Sequence, residues 1–276
     1  MSIKLIAIFT CLLCVCGLCL AESAGSGTQD DPWLIGADGD DVYAFIEGGT
    51  LWIDGSGRMA DFEDGVPWDK EAPCIESVFV GSEITRIGKR AFAYIGTQAE
   101  FFDVYIGECV TEIGAYAFEG TNLSAYGGLS LPESVTKIEA GAFSNLSADS
   151  CISLYSVPEA DGAFDQSEVT LYLPYALITD EYIASLGGTL TVVPVYRFYY
   201  TEDYGTDDIS CTGIIYINEG DELNYDAEAY KCMDNCSFVR YDLVYGNLDG
   251  ADLTDPELTV QLTGDVKVNI IYEENN

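Results

Sequence analysis

The chain contains no histidine, and its Lys and Arg residues number only eleven against 47 Asp and Glu. Because Ser-His-Asp and Cys-His catalysis and most zinc sites need an imidazole, this absence excludes them. The eleven basic residues form no run, whereas DNA, RNA and heparin are bound through clustered Lys and Arg. The composition therefore predicts no nucleic-acid partner, and the net charge of −36 favours solubility, basic partners or calcium.

A long apolar run opens the chain. It follows Lys4, extends to Leu20 and ends at the small residue Ala21. This pattern predicts a secretory signal peptide over residues 1–21, with no membrane span in the mature chain and a secreted or cell-surface location. The alternative is a retained membrane anchor, because the run approaches the roughly 17 residues at the low end of spanning lengths.

Six of the ten cysteines lie outside this run, an even number for a chain in an oxidising compartment. Cys211, Cys232 and Cys236 fall in one region, which predicts a disulfide among them. Small, buried apolar thiols are the alternative for the other three. These are Cys74, Cys109 and Cys151.

Three segments of the chain repeat one pattern. The string VFVGSEITRIGKRAF at 78–92 recurs as VYIGECVTEIGAYAF at 104–118 and as LSLPESVTKIEAGAF at 129–143. Each unit has an alternating apolar triplet, a turn, a second short apolar step and an Ala-Phe pair. The triplet and the second step predict two short strands, and the Ala-Phe pair predicts a turn with its ring in the core. One unit cannot bury its own apolar residues but stacked units can, which predicts a solenoid.

The pattern weakens on both sides of these units. Clear repeats cover 78–143, and degenerate strand-like segments continue to residue 193. Upstream, GGTLWIDGSGRM predicts a strand that ends in a Gly-Ser-Gly turn of an N-terminal cap, so the solenoid is predicted over 22–194. Tyr-rich alternating segments follow, and they predict a separate small β domain over 195–276 with a helical turn in DELNYDAEAYKCMDN.

The repeats resemble the BspA-like leucine-rich repeats, also described from Treponema surface proteins. The C-terminal segment, from VYRFYYTEDYG to VKVNIIYEENN, is similar to the mucin-binding (MucBP-like) modules of bacterial surface proteins. These resemblances imply a mainly β fold with short helical turns, in which a leucine-rich-repeat solenoid precedes a small β domain of β-grasp-like or sandwich type. The residues that carry the repeat resemblance are Ile84, Ile87, Ala91 and Phe92; Val110, Ile113, Ala117 and Phe118; and Val135, Ile138, Ala142 and Phe143.

The same resemblance implies a function. Such proteins are mostly non-enzymatic and bind host extracellular proteins, mucins or glycans, without a cofactor. A structural component of the cell envelope is one alternative. A carbohydrate-active hydrolase with paired carboxylates is another, but stacked repeats offer flat faces and not a closed pocket.

One row of side chains is the candidate binding site. In each first strand the residue between the two apolar ladder positions points away from the core. Large aromatic rings in this row are typical of recognition surfaces. The alternative is that a loop, the C-terminal domain or a second sheet covers the row. The aromatic members are Trp52, Phe79, Tyr105 and Tyr172, with Ser130 and Ser153 between Tyr105 and Tyr172.

Metal binding is not predicted. Asp38, Asp40 and Asp41 supply oxygen atoms, but they lack the spacing of an EF-hand loop, so a solvated turn is favoured. The pair Cys232 and Cys236 has no second pair at zinc spacing and no histidine, which favours a disulfide over zinc.

Overall fold

The computed structural model describes five stretches of the chain: residues 25–100, 102–123, 128–204, 210–231 and 236–274. The predicted signal peptide and Cys232 lie outside them. Within these stretches no helix is both long and apolar enough to cross a membrane. The fold class is the predicted one, mainly β with short helical segments.

The N-terminal cap and the repeats supply eleven strands. The cap contains β1 (Trp33–Leu34), β2 (Asp41–Glu47) and β3 (Thr50–Arg58). The clear repeats alternate a first strand with a shorter second one: β4 (Ser77–Val80), β5 (Ile84–Ile87), β6 (Asp103–Ile106), β7 (Glu112–Ile113), β8 (Leu129–Leu131) and β9 (Lys137–Ile138). The later units contain β10 (Ser150–Leu154), β11 (Glu168–Pro174) and helix α1 (Asp180–Leu186). Short 3-10 helices cover Ala72–Cys74 and Tyr175–Leu177.

The C-terminal part is also built of strands. Its elements are β12 (Thr189–Asp203), β13 (Ser210–Asn218), β14 (Glu222–Asp226), α2 (Ala227–Tyr230), β15 (Cys236–Tyr245), β16 (Glu257–Gln261) and β17 (Val266–Glu274). Strand β12 pairs with β13 on one side and β17 on the other, and β15 pairs with β17. The β14–β16 ribbon is a separate two-stranded sheet, and α2 falls within the segment predicted to hold a helical turn.

Equivalent strands of successive repeats stack in parallel, as the sequence pattern predicts. The first strands β3, β4 and β6 pair so that Leu51, Val78 and Val104 are neighbours. The second strands pair likewise and place Ile87, Ile113 and Ile138 in one buried ladder. The solenoid prediction is confirmed.

The Ala-Phe turns form a second ladder inside the solenoid. The rings of Phe92, Phe118, Phe143 and Phe164 are fully buried, with successive centroids 5.3, 5.3 and 5.1 Å apart. Each turn is also joined to the next through the backbone, since the Phe118 N–H donates to the Ala142 carbonyl at 2.8 Å. This stacking lets every repeat cover the rings of the one before it.

The predicted Gly-Ser-Gly turn is wrong. Strand β3 continues through this tripeptide to Arg58, pairing first with β4 and then, from Gly57 onward, with β5. Gly55 and Gly57 have φ values of 95° and 105°, and a Cβ on Gly55 would lie 1.9 Å from the Asp41 carbonyl oxygen. The glycines therefore let one strand pass from the sheet of first strands to the sheet of second strands.

Strand β12 links the solenoid to the C-terminal strands without a break. Its first half pairs with β11 and its second half with β13 and β17, and Val195 is partnered with both Pro174 and Asn218. The buried apolar residues fall into two clusters. One extends to Leu186, and the other begins at Tyr196.

Candidate functional site

Three of the four predicted aromatic residues form a continuous row on the sheet of first strands. Trp52, Phe79 and Tyr105 are direct register neighbours on β3, β4 and β6. The ring centroids of Trp52 and Phe79 are 5.0 Å apart, and those of Phe79 and Tyr105 are 4.8 Å apart and nearly parallel. We call these three residues the aromatic row.

The aromatic row is partly open to solvent, although the indole nitrogen of Trp52 is buried. Tyr105 is 49% exposed, and Trp52 and Phe79 are partly exposed. A fourth ring, Phe45 on β2, pairs with Trp52 at 6.3 Å and is nearly buried. Sequence reasoning missed Phe45, although the Gly48-Gly49 turn between alternating segments indicates a hairpin that would align it with Trp52.

Tyr172 is on the same face but apart from the row. Ser130, Ser153 and Tyr172 are register neighbours on β8, β10 and β11, so two small side chains lie between Tyr105 and Tyr172. The next partner of Tyr172 is Val193 on β12. The four predicted residues thus form one cluster of three rings and one separate ring.

A groove begins where the aromatic row ends. Strand β6 pairs with β4 and strand β8 with β10, but among the described residues β6 and β8 form no strand pair. The space at this break has a volume of about 350 Å³. Its polar and aromatic walls are Tyr105, Glu108, Glu133, Tyr155 and Tyr216.

One wall of the groove comes from the C-terminal strands. The Tyr216 ring on β13 stacks on Tyr155 with centroids 4.0 Å apart, and its hydroxyl donates to a Glu133 carboxylate oxygen at 2.6 Å. Burial and the Glu133 carboxylate raise the pKa of Tyr216, so the hydroxyl stays a donor at neutral pH. No sequence pattern indicates this contact, because Tyr216 and Glu133 are 83 residues apart.

The other outward face of the repeats is charged. Arg86 has an exposed side-chain fraction of 15% and contacts Asp61 at 2.8 Å and Glu112 at 3.6 Å. Burial raises the pKa of Asp61, but hydrogen bonds from the Lys89 N–H and the Arg86 guanidinium outweigh it and hold the pKa below its usual value. Register neighbours along this charged face are Arg58, Arg86, Glu112 and Lys137.

The acidic turn predicted to be solvated is an ion-paired turn of the cap. Asp38 and Asp40 contact the Arg58 guanidinium at 3.1 and 3.2 Å, and Asp41 is exposed at the start of β2. Hydrogen bonds from Arg58, of which its backbone N–H bond is the strongest influence, lower the pKa of Asp40 despite some desolvation. Across the described ranges no group of three or more His, Cys, Asp or Glu side chains has the arrangement of a metal site.

The cysteines divide between described and undescribed positions. Cys74 and Cys109 are exposed and Cys151 is partly exposed, so the alternative that these three are buried apolar residues is wrong. Cys236 is a buried free thiol at the start of β15. Cys232 and the Cys211 side chain lie outside what the structure describes, so of the predicted pairings the one between Cys211 and Cys232 stays a prediction.

Coils of two short parallel strands closed by a stacked Phe turn place this molecule among the leucine-rich-repeat solenoids. Residues 70–157 match the family described as BspA type Leucine rich repeat region, in six copies. This part of the chain is therefore a BspA-type leucine-rich repeat region, as the resemblance predicted. The MucBP-like similarity of the C-terminal part stays a prediction.

A solved leucine-rich repeat protein from Eubacterium ventriosum is similar to this chain, with 26% identity and a TM-score of 0.40. The similarity covers 55% of this chain and 41% of that one, so it spans less than half of the solved protein. No functionally curated protein matches the chain. Proteins of the BspA-type repeat family are typically non-enzymatic interaction scaffolds of the cell surface or the secreted fraction.

Proposed function

We propose that this protein is a secreted or cell-surface binding protein that uses the aromatic row to recognise an extracellular ligand of a host: a protein, a mucin or a glycan. The C-terminal β domain, from residue 195, is proposed as a second module that completes one side of the site. No catalytic step or cofactor is part of this proposal.

The observation that carries the proposal is the stack of Trp52, Phe79 and Tyr105, which is partly exposed at the first two rings and exposed at Tyr105. Rigid rings held by backbone pairing lose little conformational freedom when a ligand covers them, and such rings dominate the energetics of recognition surfaces. Exposing a large aromatic ring forgoes the free energy of burying it, so such rings are not needed for folding at these positions. The equivalent positions of later repeats carry Ser130 and Ser153 instead.

The hydrolase alternative has less support. Glu108 and Glu133 both line the groove, but both are exposed to solvent. A carboxylic acid becomes a proton donor at neutral pH through burial in an apolar pocket, which these positions do not provide. The groove therefore favours binding over hydrolysis.

A binding screen tests the proposal. The purified chain would be measured by surface plasmon resonance against matrix proteins, mucins and a glycan array, beside the Phe79→Ala/Tyr105→Ala variant. We expect at least one ligand whose affinity falls about tenfold or more in this variant, because hot-spot rings each cost more than 1 kcal/mol when truncated.

The control is Tyr94→Ala. The exposed fraction of Tyr94 is 53%, similar to that of Tyr105. Tyr94 lies in an Ala-Phe turn and not in the aromatic row, and its hydroxyl donates to Glu119. It should leave the affinity unchanged. If every ligand binds the parent and the Phe79→Ala/Tyr105→Ala variant equally, the aromatic row is not the binding site. If no ligand binds the chain, the envelope-component alternative is favoured.

A further inference from the structure

We infer that the partner bound by the aromatic row is a cationic, extended polypeptide segment, whose Arg and Lys side chains lie over the rings and pair with carboxylates on both flanks. This inference rests on the proposed function, because it names the chemistry of the ligand for the same face.

Carboxylates flank the aromatic row along the strands. Side chains two residues apart on a strand point to the same side, so Asp103 shares the outward face with Tyr105, and Asp54 shares it with Trp52. Asp103 and Asp54 are both exposed. At the strand ends, Asp54 and Glu83 line one shallow groove, and Glu108 and Glu133 line the groove beside Tyr105.

The first strands that carry the aromatic row contain no basic residues, and Arg197, the register partner of Tyr216 beside the groove, is paired with Asp265. The segments 41–56, 77–83, 103–108 and 129–134, which form the first strands and their following turns, contain no Lys or Arg. In the repeats, Arg86 and Lys137 lie on the charged face, where carboxylates already pair with them. The basic residues are thus divided unequally between the two outward faces: on one they are paired with carboxylates, and on the other the first strands carry carboxylates without basic residues around the aromatic row.

The combination of rings and carboxylates matches one ligand chemistry. The face of a Phe or Tyr ring attracts a guanidinium or ammonium group, and carboxylates close by add a paired charge. An anionic glycan or mucin chain would meet repulsion from the same carboxylates. An extended segment can lie along the row because Trp52, Phe79 and Tyr105 lie on adjacent strands about 4.8 Å apart, so the row spans about 10 Å, the length of about three residues of an extended chain.

A labelled octa-arginine peptide is the probe for this inference. Fluorescence anisotropy would give its Kd for the full chain at ionic strengths of about 0.05 and 0.15 M. The variants are Tyr105→Ala, Tyr105→Phe and the pair Glu108→Gln/Glu133→Gln, in which the new amide still accepts the Tyr216 hydroxyl. We expect about a fivefold loss for Tyr105→Ala, no loss for Tyr105→Phe and about a tenfold loss for the acid pair.

Matched controls separate this site from general attraction to an acidic protein. Asp161→Asn/Glu181→Gln removes two exposed carboxylates away from this face, and Tyr94→Ala removes an equally exposed ring. Both should change the Kd less than about twofold, since screened charges at a distance contribute little. If the controls weaken binding as much as the site variants do, the inference is overturned.

The two proposals fail in different ways. The cationic partner is overturned, and the proposed function is kept, if Tyr105→Ala leaves the Kd for octa-arginine unchanged but weakens the binding of a mucin or neutral glycan. A face on which no ligand of either kind depends on Tyr105 overturns both.

Discussion

The solenoid and the C-terminal part of the chain bury aromatic rings in different ways. The solenoid stacks Phe92, Phe118, Phe143 and Phe164, rings without polar atoms, on neighbours about one repeat away. The C-terminal part buries Tyr225, Tyr241 and Tyr272 instead. The Tyr241 and Tyr272 hydroxyls donate to the backbone carbonyls of Pro256 and Ala227, each at 2.7 Å.

This difference shows two sources of specificity. A ladder of Phe rings depends on shape and on the next repeat, so its stability is a sum over neighbouring units. A Tyr-rich core depends on individual polar contacts between segments far apart in the chain, such as Arg197 with Asp265, 68 residues away at 2.7 Å. The Phe ladder tolerates irregular repeats at its ends, whereas the Tyr-rich core needs each hydrogen-bond or ion-pair partner in place.

The largest test of this comparison is Phe118→Ala in the middle of the ladder. The truncation removes ring contacts to Phe92 and Phe143 and leaves a cavity, so we expect a loss of about 3–5 kcal/mol in unfolding free energy. Urea unfolding followed by circular dichroism measures it. Tyr105→Ala is the surface control and should cost far less. Equal losses would contradict the ladder as the main source of solenoid stability.

Alkaline pH should separate the two regions. Burial raises the pKa of Tyr225, Tyr241 and Tyr272, and for Tyr241 a hydrogen bond donated by the backbone of Ala227 to the phenol oxygen offsets part of this rise. A pKa raised by folding adds stability below the unfolded value and loses it as pH rises through the folded value. We therefore expect the C-terminal part to unfold first above about pH 10.

The measurement is tyrosinate absorbance followed together with circular dichroism during a pH titration. The stacked Phe rings carry no titratable group. In the solenoid, burial raises the pKa of Tyr182 to about 12, and this residue lies at the C-terminal end beside the ladder. Loss of repeat structure before the tyrosines of the C-terminal part ionise would reverse the expected order.

Two Tyr→Phe substitutions in the C-terminal core should have different effects on the free energy of unfolding. Tyr272→Phe removes the hydroxyl that donates to Ala227, and we expect a loss of about 1 kcal/mol. The Tyr225 hydroxyl is buried without a hydrogen-bond partner among the described residues, so Tyr225→Phe should cost nothing or stabilise. Thermal unfolding of the two variants measures the contrast, and equal losses would show that Tyr225 has a partner.

The smallest expected effects concern ion pairs. Arg86 is mostly buried among carboxylates of the charged face, and Arg86→Ala should cost about 1 kcal/mol through lost packing and pairing. The pair of Arg240 with Asp242 in the C-terminal part is about half exposed, and Arg240→Ala should change stability too little to measure. A larger loss for Arg240 than for Arg86 would contradict this ranking, with chemical denaturation as the measurement.

Much of the solenoid follows from periodicity alone. Because the repeats fix the register, the alternation in each first strand is enough to place Trp52, Phe79 and Tyr105 side by side. The same reasoning places Ser130 and Ser153 between Tyr105 and Tyr172. Local patterns predict these contacts because neighbouring strands belong to consecutive units.

The remaining features depend on non-local packing. Gly55 and Gly57 look like a turn in the sequence, but the approach of β2 makes them a crossing between two sheets. Tyr216 reaches Glu133 and Tyr155 from another part of the chain, and no period links their positions. The groove therefore could not be predicted, whereas the aromatic row could.

Strand β12 gives the molecule a mechanical property. It is fifteen residues long, about 50 Å at a strand rise of about 3.3 Å per residue, and it changes partners at Val195 without a loop. It therefore links the two parts of the molecule as a continuous strand and not as a flexible linker. A force applied between the two ends of the protein would load the hydrogen-bonded ladders of β12 in shear. Under this force Tyr216 would keep its contact with Glu133, whereas a flexible linker would let the two residues separate.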